Sequence, residues 1–69
     1  MDKKKIAQLL KKRRTSLKLT QQTLSDISNI STPIISSLEN GTSNISLNNL
    51  LEILDVLGLE MQLDIKEVL

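Results

Sequence analysis

Apolar residues recur along this 69-residue chain with two different periods. Over residues 4–17, Ile6, Leu9, Leu10, Arg13 or Arg14, and Leu17 are spaced three and four apart. That spacing predicts a helix with lysines on its other face. Lys18 and Leu19 end it. Thr20 is a residue type able to bond the open amides of a first turn, so Thr20-Gln21-Gln22-Thr23 opens a second helix. Its inward positions are Leu24 and, one turn on, Ile27 or Ser28, while Ser25 is small enough for another helix to cross closely. Ser28-Asn29-Ile30-Ser31 reads as a turn, because Asn tolerates the left-handed conformation that ends helices. Ser31 can cap a third helix with Thr32 and Pro33 in its first turn; if Thr32 is the cap, Pro33 takes the first helical position. Ile35 and Leu38 face inward, Thr32, Pro33, Ser36 and Ser37 face outward, and Asn40-Gly41 stops the helix. After a loop over residues 42–45, Ser46 caps a fourth helix at 47–57, with Leu47, Leu50, Leu51, Leu54 and Leu57 as its stripe and Gly58 at its end.

The period then changes. Leu59, Met61, Leu63 and Ile65 alternate with Glu60, Gln62, Asp64 and Lys66, the pattern of a half-buried strand. One strand needs a partner for its amides, and the chain offers no second convincing strand. The economical solution is the same strand of a second copy, an antiparallel ribbon across a two-fold axis. The expected fold is therefore all-α, with four to five helices and a short C-terminal β-strand that pairs across a dimer. Residues 1–69 form one domain, with a helix-turn-helix core at 20–39 and a dimerisation helix and strand at 46–66. Small size points the same way, since below roughly 70–80 residues one core rarely supplies more than about 3–5 kcal/mol.

Composition narrows the chemistry. The chain has no Cys and no His, which excludes disulfide frameworks, zinc fingers, thiol nucleophiles and imidazole bases. It has no Phe, Tyr or Trp, which removes the stacking platforms of single-strand and RNA readers. Asp, Glu, Lys and Ser form no catalytic or metal-ligand spacing, so no enzyme activity, metal or cofactor is expected. No apolar run approaches ~18 residues, so no transmembrane helix and no membrane partner are expected, and the default location is the cytoplasm.

The formal net charge of +1 conceals a division. Residues 1–18 hold eight of the nine basic side chains and one acid, for +7, and residues 19–69 hold one base against seven acids, for −6. Such a split suggests a polyanion for the basic part. Lys11, Lys12 and Lys18 are expected to supply the potential, and Lys3, Lys4 and Lys5 to fray. The acidic helix and strand turn away towards protein partners.

Residues 19–41, LTQQTLSDISNISTPIISSLENG, read as helix, short turn and a polar second helix, the arrangement of a DNA-reading helix-turn-helix. Leu19-Thr20-Gln21, Leu24, Ser31, Ile35-Ser36 and Glu39-Asn40-Gly41 resemble the phage repressor/Cro (XRE) type of helix-turn-helix, with a lambda-repressor-like fold. Arg14, Ser46-Leu47, Leu50-Leu51 and Leu57-Gly58 extend the resemblance over nearly the whole chain. The resemblance implies that Gln21 binds a phosphate and that Thr32, Pro33, Ser36 and Ser37 lie on the major-groove face. It places Asn40, Thr42, Ser43 and Asn44 in a phosphate-touching loop, and it pairs Arg14 with Glu39. Three positions depart from the pattern. Asn29 stands for the common turn Gly, Ser28 for a frequent core Leu, and the recognition face lacks the Arg, Lys, Gln or Asn that read bases bidentately. Thr32, Pro33 and Ile34 offer apolar contact to thymine instead, so affinity is expected to come largely from phosphates and specificity from DNA shape and dimer spacing.

Residues 50–65, LLEILDVLGLEMQLDI, resemble the last helix and strand of HipB-like antitoxins. That implies a homodimer, through Leu59, Met61, Leu63 and Ile65, on a pseudo-palindromic double-stranded operator. It implies autoregulation of a toxin–antitoxin operon and a HipA-like serine/threonine kinase toxin as partner. A free-standing repressor without a toxin, or a toxin-binding module with weak DNA binding, are the other readings of the same residues.

Overall fold

A computed structural model describes residues 2–66. Its regular elements are four helices, α1 (Lys3–Ser16), α2 (Gln21–Ser28), α3 (Thr32–Glu39) and α4 (Leu47–Val56). α1 packs on α3, and α2 packs on both α3 and α4. Leu10, Leu24, Ile30, Ile35, Leu38, Ile53, Leu54 and Leu57 make the core between them, with half-buried Ile6, Leu19 and Leu50 against it. Among the described residues no helix is long and apolar enough to cross a membrane.

Side chains start three of the helices. The Asp2 carboxylate accepts from the Lys5 amide at 2.8 Å, the Thr20 hydroxyl from Thr23 at 3.0 Å and the Ser46 hydroxyl from Asn49 at 3.2 Å. Ser31 stands at the head of α3 with extended backbone, but its hydroxyl makes no capping bond.

Three of the helix ends share one closure. After α1, the Lys18 amide returns to the Thr15 carbonyl and the Leu19 amide to Arg14, at 2.9 and 3.2 Å. After α3, Gly41 and Thr42 repeat this with Leu38 and Ser37, and after α4, Gly58 and Leu59 repeat it with Asp55 and Leu54. This double bond back into the last turn needs a left-handed residue after the cap. Gly41 and Gly58 supply it at φ 75° and 68°, whereas Lys18 adopts φ 58° with a side chain in place.

Several positions differ from the periodicity. α1 begins at Lys3, so the lysines expected to fray are helical. Ser28, not Ile27, is the buried residue one turn after Leu24. In α4 the inward arc is Ile53, Leu54 and Leu57, while Leu47 and Leu51 are exposed at 63% and 46%. A ten-residue helix lying on α2 buries only a narrow arc, and the leucine set is broader than that arc. Leu59–Ile65 does not form a strand within the single chain, because the described residues offer no second strand to take its hydrogen bonds. Leu63 and Ile65 stand out at 78% and 99% exposure.

Lys18→Gly should raise the unfolding free energy by about 0.5–1 kcal/mol. Relief of left-handed strain, about 1–2 kcal/mol, outweighs the added freedom of the unfolded chain. Urea melts read the change, and a less stable variant would contradict the strain.

Candidate nucleic-acid interface

α3 is set against α2 by the turn between them. Asn29 takes the left-handed conformation, φ 60° and ψ 26°, and reverses the chain. Ser28 is buried, yet its hydroxyl donates to the Leu24 carbonyl at 2.7 Å and accepts from the Ile30 amide at 3.3 Å. A serine where leucine would fill space therefore ties the end of α2 to the turn, and Ile30 packs into the core beside it.

α3 turns Ile35, Leu38 and Glu39 inward. Its other positions leave Pro33 and Ile34 exposed and Thr32, Ser36 and Ser37 half-buried at the surface, with Asn40 exposed just beyond. The outward face is thus short, neutral and free of long side chains. The one acid of α3 points into the molecule.

There Arg14 and Glu39 meet side by side. Arg14 Nε donates to Glu39 Oε2 at 2.7 Å and its second nitrogen to Oε1 at 2.9 Å. The remaining guanidinium nitrogen donates to the Leu19 carbonyl at 2.7 Å. Gln21 Nε2 also donates to Glu39 Oε1, at 3.1 Å. Burial pushes the Glu39 carboxyl up, but hydrogen bonds from Arg14 and Gln21, with the charges of Arg14 and Lys11, hold it below its ordinary value. The Arg14 guanidinium is raised, chiefly by its hydrogen bond to Glu39.

The loop after α3 is bonded to α3 and to α1. Thr42 Oγ1 donates to the Ser37 carbonyl at 3.3 Å, and Asn44 Oδ1 accepts from Lys3 Nζ at 2.9 Å. Ser43 lines a hollow with Asn44, Ile6 and Leu38. Beside the end of α3, Lys4 and Gln8 of α1 line a second hollow with Glu39 and Asn40. Lys4, Gln8 and Lys11 fall on one side of α1, four and three residues apart. Basic charge therefore borders Asn40 and Gly41.

The sequence over residues 10–63 matches the family model described as helix-turn-helix. The chain belongs to the XRE-type helix-turn-helix family. As a member of that family it is a DNA-binding regulator. Solved structures similar to it include two restriction-modification controller proteins. The restriction-modification controller protein C.AhdI from Aeromonas hydrophila matches with a TM-score of 0.77 and 33% identity, over 83% of this chain and 86% of that one. A point mutant of the restriction-modification controller protein C.Esp1396I matches with a TM-score of 0.76 and 27% identity, over 87% and 80%. No protein with a curated description matches the sequence.

Two basic residues of this helix-turn-helix protein sit where sequence reasoning did not place them. Arg13 Nε donates to the Leu57 carbonyl at 2.8 Å, closing the end of α4 from α1. A cation at a helix C-terminus is the signal that could have found it, but Arg13 and Arg14 compete for the same place in the α1 stripe. Lys4 reaches Gly41, where a Cβ would lie 3.4 Å from its Cγ, so it belongs with the α3 loop.

Glu39→Gln leaves Arg14 buried without its counter-charge and should cost about 3 kcal/mol at neutral pH. The folded carboxyl titrates below its unfolded value, about 4.3. Its contribution is complete above that value and is lost as pH falls through the folded value. Urea melts at falling pH should show the wild type converging on the variant, whereas a constant gap would contradict the pair's role.

Proposed function

We propose that the protein is a homodimeric transcriptional repressor that inserts α3 into the major groove of a pseudo-palindromic operator. The observation that carries this reading is the neutral outward face of α3, at whose C-terminal end Gln21 bonds Glu39 and Lys4 lies beside Asn40. In this reading Thr32, Pro33, Ser36 and Ser37 meet base edges. Gln21 has one amide hydrogen on Glu39 and one left for a phosphate. Asn40, Thr42, Ser43 and Asn44 follow the backbone of the same strand.

The dimer is supported by the tail. Leu63 and Ile65 are exposed apolar residues on an unpaired segment. Leu59 and Met61 border a groove lined by Leu9, Leu10, Leu50 and Leu54. Pairing of this segment with its copy supplies the missing strand partner and covers those side chains. Two subunits then present half-sites about one helical turn apart.

The likeness to two restriction-modification controller proteins supports a controlling role of that kind for the genes beside its operator. A second reading keeps the HipB-like antitoxin with a HipA-like kinase toxin as partner. The exposed alternating tail favours it, since the same surface suits a protein partner.

Footprinting on the DNA upstream of its own reading frame tests the first reading. Gln21→Ala and Thr42→Ala should weaken binding to every sequence alike, and substitutions at Thr32 or Ser37 should change site preference by about 1–3 kcal/mol at most. Unchanged footprints would overturn the assignment of α3. Pull-down from native cells, with a stoichiometric kinase-like protein recovered, would favour the antitoxin. Truncation after Gly58 should weaken self-association in sedimentation runs, and an undiminished dimer would remove the tail from the interface.

A further inference from the structure

α3 holds two apolar residues that the core does not use. Ile34 is 39% exposed, and Pro33 before it is exposed as well. Neither belongs to the core cluster nor to the half-buried side chains packed against it. Ser37 is one turn along from both, so Pro33, Ile34 and Ser37 form one continuous patch on the helix. The neighbouring groups on this face are hydroxyls. α3 itself carries no guanidinium or carboxamide able to grip guanine or adenine by two hydrogen bonds at once, and the exposed carboxamide of Asn40 lies beyond its end. In the major groove, the apolar group that a base edge presents is the 5-methyl of thymine.

We propose that Pro33 and Ile34 read thymine through its 5-methyl group, so that the protein selects sites by the placing of T. The proposal rests on the DNA-reading role of α3 proposed above. It goes further by naming the base, the atom on it and the side chains that meet it. Contact of this kind removes apolar area from water on both partners and needs no directional bond. It therefore suits a face from which no long polar side chain extends. Ser36 and Ser37 can bond several bases and refine a choice that the methyl contact sets.

The test uses the full chain and duplexes enriched from a random-sequence library made with thymidine. Each enriched duplex is resynthesised with deoxyuridine in place of thymidine, one position at a time, which deletes a single methyl and leaves the Watson–Crick edge intact. A methyl buried against Pro33 or Ile34 is worth about 0.8 kcal/mol, so each critical replacement should weaken binding about fourfold. Two symmetric replacements should weaken it more than tenfold. In Ile34→Ala or Pro33→Ala the same replacement should matter less than twofold, with helix content by circular dichroism confirming that the variants fold. Equal binding of thymidine and deoxyuridine duplexes at every position overturns the proposal and leaves DNA reading by α3 intact. A loss that persists unchanged in both variants also overturns it, because the methyl then acts through DNA shape. Failure to enrich any sequence overturns the DNA-reading assignment itself, and this proposal with it.

Discussion

One ion pair joins three helices. Arg14 reaches from α1, Glu39 closes α3, and Gln21 at the head of α2 donates to the same carboxylate. The third arm of the guanidinium holds the Leu19 carbonyl, in the turn that leads into α2. Breaking a buried pair leaves an uncompensated charge, while keeping it adds little over an apolar pair of the same shape. Its value is directional. Leucines could fill the same space at several helix angles, but a two-pronged bond between guanidinium and carboxylate admits very few. In a core made almost wholly of Leu and Ile, this contact fixes how α3 sits on α1.

The helix-turn-helix was legible because its signals are local. Thr20 and Ser46 cap with their hydroxyls, Asn29 turns left-handed, and Gly41 and Gly58 close the helices that precede them. Each needs only a few neighbours in sequence. What was illegible depends on partners far along the chain. Arg13 reaches across 44 residues to Leu57, and nothing in its own surroundings separates it from Arg14. Ser28 is buried where its type is usually exposed, because the turn it serves offers a donor and an acceptor together. The α4 stripe was too wide because periodicity reports every apolar position, while packing uses only the arc facing α2. The tail is the opposite case. Its period is clear, but a strand is a property of two segments, and the single chain holds one of them.

The divided charge takes on a geometry. Arg13 and Arg14 belong to the frame, bonded to a carbonyl and a carboxylate. The other basic groups are lysines, with Lys4 and Lys11 beside the end of α3. A field from surface lysines attracts DNA without regard to sequence. In the proposed reading, sequence discrimination falls to a face that has no charge of its own, and attraction and choice reside on different helices.

The hydrogen bonds around the end of α3 have a further consequence. Thr42 is fastened to Ser37, Asn44 to Lys3, and Gln21 to Glu39, all in the chain alone. These side chains have surrendered rotamer freedom during folding. A partner arriving at that rim meets a preset surface, and ordering it adds little to the entropy lost on association. The same bonds make the rim slow to reshape. If this rim meets the DNA backbone as proposed, a duplex with a different groove width has to adapt to the protein, and its stiffness becomes part of what is recognised.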